Sequence, residues 1–138
     1  MRKVILLAVC FMFSFLFLGS ALAQDVANVY FYRYRGAVGK ALKPSVYINE
    51  DEMGRLVNGR YFAVKVKPGT YTFRAEDKQA GASVSIEAGK SYYFRTEVAT
   101  GFWKGHFRLT MVAPEQGEYD IKQLKPNDPE HVKRERYP

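Results

Sequence analysis

The sequence has little of the side-chain chemistry on which enzymes and metalloproteins depend. Its 138 residues include one cysteine, Cys10, and two histidines, His106 and His131. One histidine lies in a strand-like run and the other near the C-terminus, so we expect no shared metal site. The acidic run Glu50–Glu52 lacks the alternating spacing of a calcium loop and fits an exposed turn. Since the serines show no G-x-S-x-G elbow either, we expect no cofactor, no metal and no catalysis.

The first 23 residues have the pattern of a secretory signal peptide. Arg2 and Lys3 form a positive start, residues 4–18 are almost all apolar, and Ala21-Leu22-Ala23 is a small-x-small cleavage site. The alternative is an uncleaved anchor, although a membrane span needs about 17–25 apolar residues. We expect cleavage before Gln24, which also removes Cys10 and leaves no transmembrane segment. An exported chain without cysteine is typical of a bacterial periplasmic or secreted protein.

The sequence is rich in short runs in which apolar and polar residues alternate. Such alternation indicates half-buried strands, because successive side chains point to opposite faces of a sheet. The runs lie at residues 28–34, 46–49, 61–66, 71–75, 82–88, 91–98 and 106–113. We expect Val29 and Phe31 to face inward in the first run, Tyr92 and Phe94 in the run at 91–98, and Phe107, Leu109 and Met111 in the last.

Turn signals separate these runs. Asn58-Gly59 predicts a hairpin, because both residues tolerate positive φ, and Pro68-Gly69 predicts a type II turn. Residues 49–54 read as a further, acidic turn, and residues 115–124 as a short helix or an extended closing segment. We therefore predict an all-β protein: a signal peptide at 1–23, then a single antiparallel β-sandwich of about seven to eight short strands at 24–125. A flexible charged tail is expected at 126–138.

Four sequence blocks resemble a known family. They are AxVYFYR at 27–33, PSVYIN at 44–49, NGRYFAVKVKPGTYTF at 58–73 and EAGKSYYFR at 87–95. Together they resemble the bacterial envelope family called domain of unknown function 2846, and the later blocks are also similar to PEGA-like and prealbumin-like β-sandwich modules. The resemblance implies a small secreted or lipid-anchored β-sandwich without an established activity or catalytic residues. Many members carry a lipid-attachment cysteine, which Cys10, inside the apolar run, does not match.

The first candidate binding surface is aromatic and basic. It consists of residues expected on the outer face of the sheet: Tyr30, Tyr32, Arg33, Tyr34, Arg35, Tyr93 and Arg95. Tyrosine and arginine are enriched at protein interfaces. The alternative is that both faces of the first strand are buried.

The second candidate is the loop at residues 100–105, in which Phe102 and Trp103 lie between glycines. This loop could form a binding tip or a plug that closes one end of the sandwich. Lys40, Lys43 and Lys104 would add affinity for anions if their loops share an end.

These features predict an exported, non-catalytic module that binds another cell-envelope protein through the aromatic surface or an edge strand. The alternative is a carrier that stacks a small ligand or a glycan on the aromatic residues around Trp103. A formal net charge of +7 also admits anionic lipid as a partner. Nucleic acid is not expected, because an exported protein rarely meets it.

Overall fold

A computed structural model describes residues 25–76, 81–99 and 106–138. These residues form ten strands, one α-helix and a single 3-10 turn at Pro129–His131. The strands are β1 Ala27–Tyr32, β2 Ser45–Ile48, β3 Asp51–Arg55, β4 Arg60–Val66, β5 Gly69–Arg74, β6 Ala82–Ile86, β7 Ser91–Ala99, β8 His106–Val112, β9 Lys125–Pro126 and β10 Arg136–Tyr137. The helix α1 spans Pro114–Lys122.

The strands form two sheets, which confirms the all-β prediction. The first has the order β10-β4-β1-β7-β8, with β9 also paired to β4, and the second has the order β3-β2-β5-β6. The second sheet is antiparallel throughout. In the first, β1 runs parallel to β7, and β9 and β10 run parallel to β4. The expectation of purely antiparallel pairing is therefore wrong, because β1 and β7 are joined by a long connection through the second sheet, as parallel strands require.

The apolar sides of the two sheets meet in one core. The Phe31 ring centroid lies 5.4 Å from that of Phe62 and 5.9 Å from that of Phe94. Phe73 of the second sheet stacks on Phe94 of the first at 4.4 Å. All four rings are buried, and full burial of such a side chain contributes about 1.5–3 kcal/mol. The alternation of residues in β1 and β7 thus correctly predicted that Phe31 and Phe94 face inward.

One inward assignment in the last run is wrong. Phe107 and Leu109 are buried as expected, but Met111 is 51% exposed. β8 is an outer strand of the first sheet, and Met111 borders an open groove beside Ser85 and Tyr92 instead of the packed core. Alternation predicts which side of a strand a residue faces, but not how far the opposite sheet extends over it.

The Asn58-Gly59 turn forms but does not join a hairpin. Gly59 has a φ of 71°, and the Arg60 N–H donates to the Val57 carbonyl at 3.1 Å. The preceding strand β3 pairs with β2, whereas the following strand β4 pairs with β1, so the turn carries the chain from one sheet to the other. The hairpin lies instead at Asn49, whose φ is 54°, and residues 51–54 of the predicted acidic turn belong to β3.

The C-terminal segment, residues 125–138, lies along one edge of both sheets. β9 and β10 pair with β4 of the first sheet. The N–H groups of Lys133 and Arg134 donate to the Met53 carbonyl of β3, in the second sheet, at 2.9 and 3.1 Å. The prediction of a flexible tail at 126–138 is wrong, because backbone hydrogen bonds hold this segment while most of its charged side chains remain in water.

Tyr137 anchors the end of this segment. Its side chain is 8% exposed, its ring centroid lies 5.6 Å from that of Tyr71, and its hydroxyl donates to the Asp51 carboxylate at 2.9 Å. We therefore expect Tyr137→Ala to lower the free energy of unfolding by about 3 kcal/mol, as typical for truncation of a buried aromatic ring. Urea denaturation measures the effect.

The matched control is Tyr119→Ala, the same truncation at a helix residue that is 64% exposed. It should change the free energy of unfolding by less than about 0.5 kcal/mol. Equal effects of the two substitutions would show that the C-terminal segment is not docked on the sheets.

Candidate functional site

The predicted aromatic and basic surface is partly covered. Tyr32, Arg33 and Tyr93 are 0%, 3% and 5% exposed, so the expectation that these three residues face solvent is wrong. Tyr32 bonds to α1 and Tyr93 lies beneath it, whereas Arg33 is enclosed by its own loop. Tyr30 and Arg95 are half-buried. For the three buried residues the alternative, burial of both faces, is correct.

Gly117 allows α1 to approach the sheet closely. A Cβ atom at position 117 would lie 2.1 Å from the Tyr93 Cγ, so any larger residue would force the helix away. The Tyr93 ring stacks in turn on Tyr30, with centroids 4.8 Å apart and planes 6° from parallel. The two tyrosines are direct neighbours in the β1–β7 register. They form the floor on which the helix lies.

A buried carboxylate fixes the helix to β1. The Tyr32 hydroxyl donates to Asp120 Oδ2 at 2.5 Å, and the Gln116 side-chain amide donates to Asp120 Oδ1 at 2.7 Å. Burial raises the pKa of Asp120, but these donors outweigh it and hold the pKa below its ordinary value. Burial and Asp120 together raise the pKa of Tyr32. Sequence reasoning missed Asp120 and Gln116, whose spacing of four on a helix is only a weak signal.

Arg95 continues the cluster at its solvent-facing side. Its Nε donates to Glu97 Oε1 at 2.7 Å, and its Nη1 donates to the Tyr34 hydroxyl at 3.4 Å. The guanidinium carbon also lies 5.3 Å from the centroid of the Tyr34 ring. The charge of Arg95 is therefore already partnered by Glu97. Together with Asp120, this arrangement stabilises the structure and leaves little binding capacity for a ligand.

Arg33 organises the loop between β1 and β2. Its guanidinium donates to the carbonyls of Gly39 and Leu42, both at 2.7 Å. It also lies 5.1 Å from the centre of the Phe107 ring, and burial lowers its pKa from the ordinary value. A buried cation that bonds two carbonyls of one loop fixes the conformation of that loop.

A basic pocket lies beside this loop. It has a volume of about 440 Å³ and is bordered by the cationic residues Arg35, Lys40, Arg60 and Lys125. Of the lysines predicted to add affinity for anions, Lys40 borders the pocket and Lys43 does not. Lys104 lies outside the described residues, together with Phe102, Trp103 and the predicted signal peptide.

The sheet edge opposite the C-terminal segment is formed by β8 and β6. β8 pairs with β7 along its whole length, and within the described ranges no strand pairs with its other side. His106, Arg108 and Met111 on β8 are exposed. A groove of about 410 Å³ beside this strand is bordered by Tyr92, Met111 and Pro114, among others.

Two further observations concern chemistry and membranes. In the described part of the chain, no group of three or more His, Cys, Asp or Glu side chains is placed to hold a metal ion. The helices in that same part are too short or too polar to cross a bilayer.

Comparison with known proteins places this two-sheet, all-β protein in a family. The family described as Protein of unknown function (DUF2846) matches residues 23–107, more than half of the chain, so the protein belongs to it. An uncharacterized protein of Haemophilus influenzae is 30% identical over 105 residues, which are 74% of this chain and 62% of that protein. No solved structure matches. The family match ends within β8, so α1 and the C-terminal segment lie beyond it.

The buried carboxylate gives stability a specific dependence on pH. Because the pKa of Asp120 is lowered in the folded protein, its contribution is present above the unfolded pKa of about 3.9 and is lost as pH falls through the folded value. We expect Asp120→Asn to destabilise the protein at pH 7 by about 1–3 kcal/mol. The difference from wild type should shrink as pH falls below about 4.

Urea denaturation at a series of pH values measures this difference. Glu118→Gln is the control, since Glu118 is exposed on the same helix. It should change the free energy of unfolding little at any pH between 7 and 3. A destabilisation by Asp120→Asn that stays constant from pH 7 to pH 3 would contradict the account.

Proposed function

We propose that the protein is an exported, non-catalytic β-sandwich module that binds an extended segment of another cell-envelope protein along β8. The observation that carries this proposal is the difference between the two sides of the fold. The C-terminal segment covers the β4 and β3 edges, whereas the outer side of β8 has no strand partner within the described residues. An accessible edge of this kind can receive an added strand.

The dimensions of β8 suit this mode of binding. Its seven residues offer a row of backbone groups, and each added hydrogen bond contributes about 0.5–1.5 kcal/mol net. The adjacent groove at Tyr92, Met111 and Pro114 can receive one apolar side chain of the bound segment. Exposed Arg108 favours an acidic residue at the facing position. Backbone pairing thus supplies affinity, and the groove and this charge supply specificity.

Export and the absence of catalysis are parts of the same proposal. Export to the periplasm or the medium is supported by the pattern of residues 1–23. A non-catalytic role is supported by the way in which the buried titratable groups are used: Tyr32 and Gln116 satisfy Asp120, and Glu97 pairs with Arg95. The Tyr32–Asp120 hydrogen bond holds the helix on the sheet, and the Arg95–Glu97 pair lies within β7.

Two neighbouring substitutions, Thr110→Pro and Met111→Pro, test the binding mode. Successive N–H groups of an edge strand point alternately toward the inner neighbour and toward the open side. One proline therefore removes a hydrogen bond to β7, while the other removes only an outward N–H. We expect one variant to melt at a clearly lower temperature and the other to remain close to wild type.

The stable variant is then tested for binding in the native host. A photoreactive amino acid in place of Ser85, which is exposed at the border of the groove, should crosslink to one envelope protein, identified by mass spectrometry. The stable proline variant should reduce the yield of this adduct by about two- to tenfold, the effect of losing one hydrogen bond that contributes about 0.5–1.5 kcal/mol. Tyr119→Ala, on the exposed side of α1, should leave the yield unchanged. An undiminished yield, or crosslinks only between copies of this chain, would contradict the proposal.

A further inference from the structure

We infer that the basic pocket binds the phosphate group of a small phosphate ester, either a free metabolite or a lipid headgroup. The pocket lies between the β1–β2 loop, the start of β4 and the chain that follows α1. It is separate from the β8 edge, so this inference does not depend on the proposed strand addition.

The charge around the pocket is of one sign. Arg35 and Lys40 come from the β1–β2 loop, Arg60 from β4 and Lys125 from β9, and no carboxylate of the described residues borders the pocket. Within the described ranges none of these four residues forms an ion pair. Six other cations of the same ranges form ion pairs, and the remaining ones do not border the pocket; the six are Arg55, Arg74, Lys90, Arg95, Lys133 and Arg134. Four like charges converging without counter-charges repel one another, and a bound anion would relieve that repulsion.

The loops that carry these cations are tied together. The Gly36 N–H donates to the Asn58 side-chain oxygen at 3.0 Å, and the Asn58 amide donates back to the Gly36 carbonyl at 3.1 Å. Buried Arg33 bonds the carbonyl of Gly39, the residue before Lys40. The pocket is therefore largely formed before a ligand arrives, which lowers the entropic cost of binding.

The Asn58-Gly59 turn and β9 form the rest of the wall of the basic pocket. Gly59 approaches the β1–β2 loop closely, since a Cβ atom there would lie 3.1 Å from the Arg35 Cβ. The Lys125 N–H donates to the Gly59 carbonyl at 3.4 Å. The Arg60 Nη1 donates to the Pro126 carbonyl at 3.1 Å, which orients the guanidinium and leaves its other N–H groups for a ligand.

The helix end opposes anion binding only weakly. α1 ends at Lys122, and Gln123 and Leu124 border the pocket. The C-terminus of a helix carries about half a negative charge, against four whole positive charges around the pocket. The last carbonyls are also partly satisfied, because those of Asp120 and Ile121 accept N–H groups at 3.1 and 3.0 Å. The balance remains favourable for an anion.

Size and lining define the ligand class. A volume of about 440 Å³ is much larger than a phosphate ion and suits a phosphate joined to a sugar or a glycerol unit. Guanidinium and ammonium groups both donate charge-assisted hydrogen bonds to phosphate oxygens. Among the described residues, those that border the pocket include no aromatic ring, so recognition rests on charge and not on stacking of a neutral glycan.

Titration of the purified protein, followed by NMR, tests the inference. Glucose 6-phosphate should shift the amide signals of Gly59 and Lys125 in a saturable way, and glucose should not. The pocket variant Lys40→Gln/Lys125→Gln should bind at least about tenfold more weakly, because two charge-assisted hydrogen bonds are lost. The control Lys67→Gln/Arg136→Gln removes the same net charge from exposed positions outside the pocket, and its affinity should stay within about twofold of wild type.

Flotation with vesicles separates the two sources of phosphate. Phosphatidylglycerol vesicles that bind the wild type but not the pocket variant would assign a lipid headgroup, with phosphatidylcholine vesicles as the comparison. Binding of glucose 6-phosphate without vesicle binding would assign a soluble ester. Equal weakening in the pocket and control variants, or no saturable binding in either arm, would overturn the inference.

Discussion

The backbone groups along the edges of the sheets are the constraint that the rest of this structure depends on. An edge strand leaves a row of N–H and C=O groups without a strand partner, and such a row invites pairing with another chain. Here the C-terminal segment spans the gap between the two sheets, pairing with β4 and bonding the Met53 carbonyl of β3. One side of the fold is thereby closed, and the side at β8 is where we propose that a partner binds.

The closed side depends on a few interactions with a specific geometry. Burial of Tyr137 fixes the end of the C-terminal segment, and Gly117 together with Asp120 fixes α1 across Tyr93 and Tyr32. The docked helix and the docked C-terminal segment are adjacent in the chain, because α1 leads directly into β9. Residues 114–138 thus pack as one continuous stretch against the two sheets formed by β1 to β8. The same stretch also places Lys125 beside the basic pocket, so that closure of the fold and formation of the pocket are linked.

Local features of the fold were predictable from the sequence, and long-range ones were not. Alternation identified Phe31 and Phe94 as inward because the period of two is a property of each strand alone. Strand pairing depends on residues far apart in the chain. The parallel pairing of β1 with β7 could therefore not be predicted from local patterns, nor could the fact that the Asn58-Gly59 turn connects the two sheets. The charged composition of residues 126–138 suggested disorder, because composition does not record backbone hydrogen bonds to a neighbouring edge.

The candidate site shows the same division. Tyr30, Tyr32, Tyr93 and Arg95 were correctly grouped by strand periodicity, since they are register neighbours in β1 and β7. Their burial was not predicted, because it depends on where α1 docks, and that depends on one glycine. The sequence indicated Arg35 and Lys40 only as parts of two different candidate surfaces, since the other two cations of the pocket, Arg60 and Lys125, come from stretches of chain that meet this loop only after folding.

Hydrogen exchange of backbone amides tests the central claim: the C-terminal segment closes one side of the fold, whereas the outer side of β8 has no strand partner among the described residues. NMR would follow individual amides of the free protein in deuterated buffer. The account predicts that the Lys65 amide of β4, which donates to the Glu135 carbonyl at 2.9 Å, exchanges only with global unfolding. In β8, every second amide should exchange quickly, because it points to the open side. Uniform protection along β8, equal to that of β4, would contradict the account.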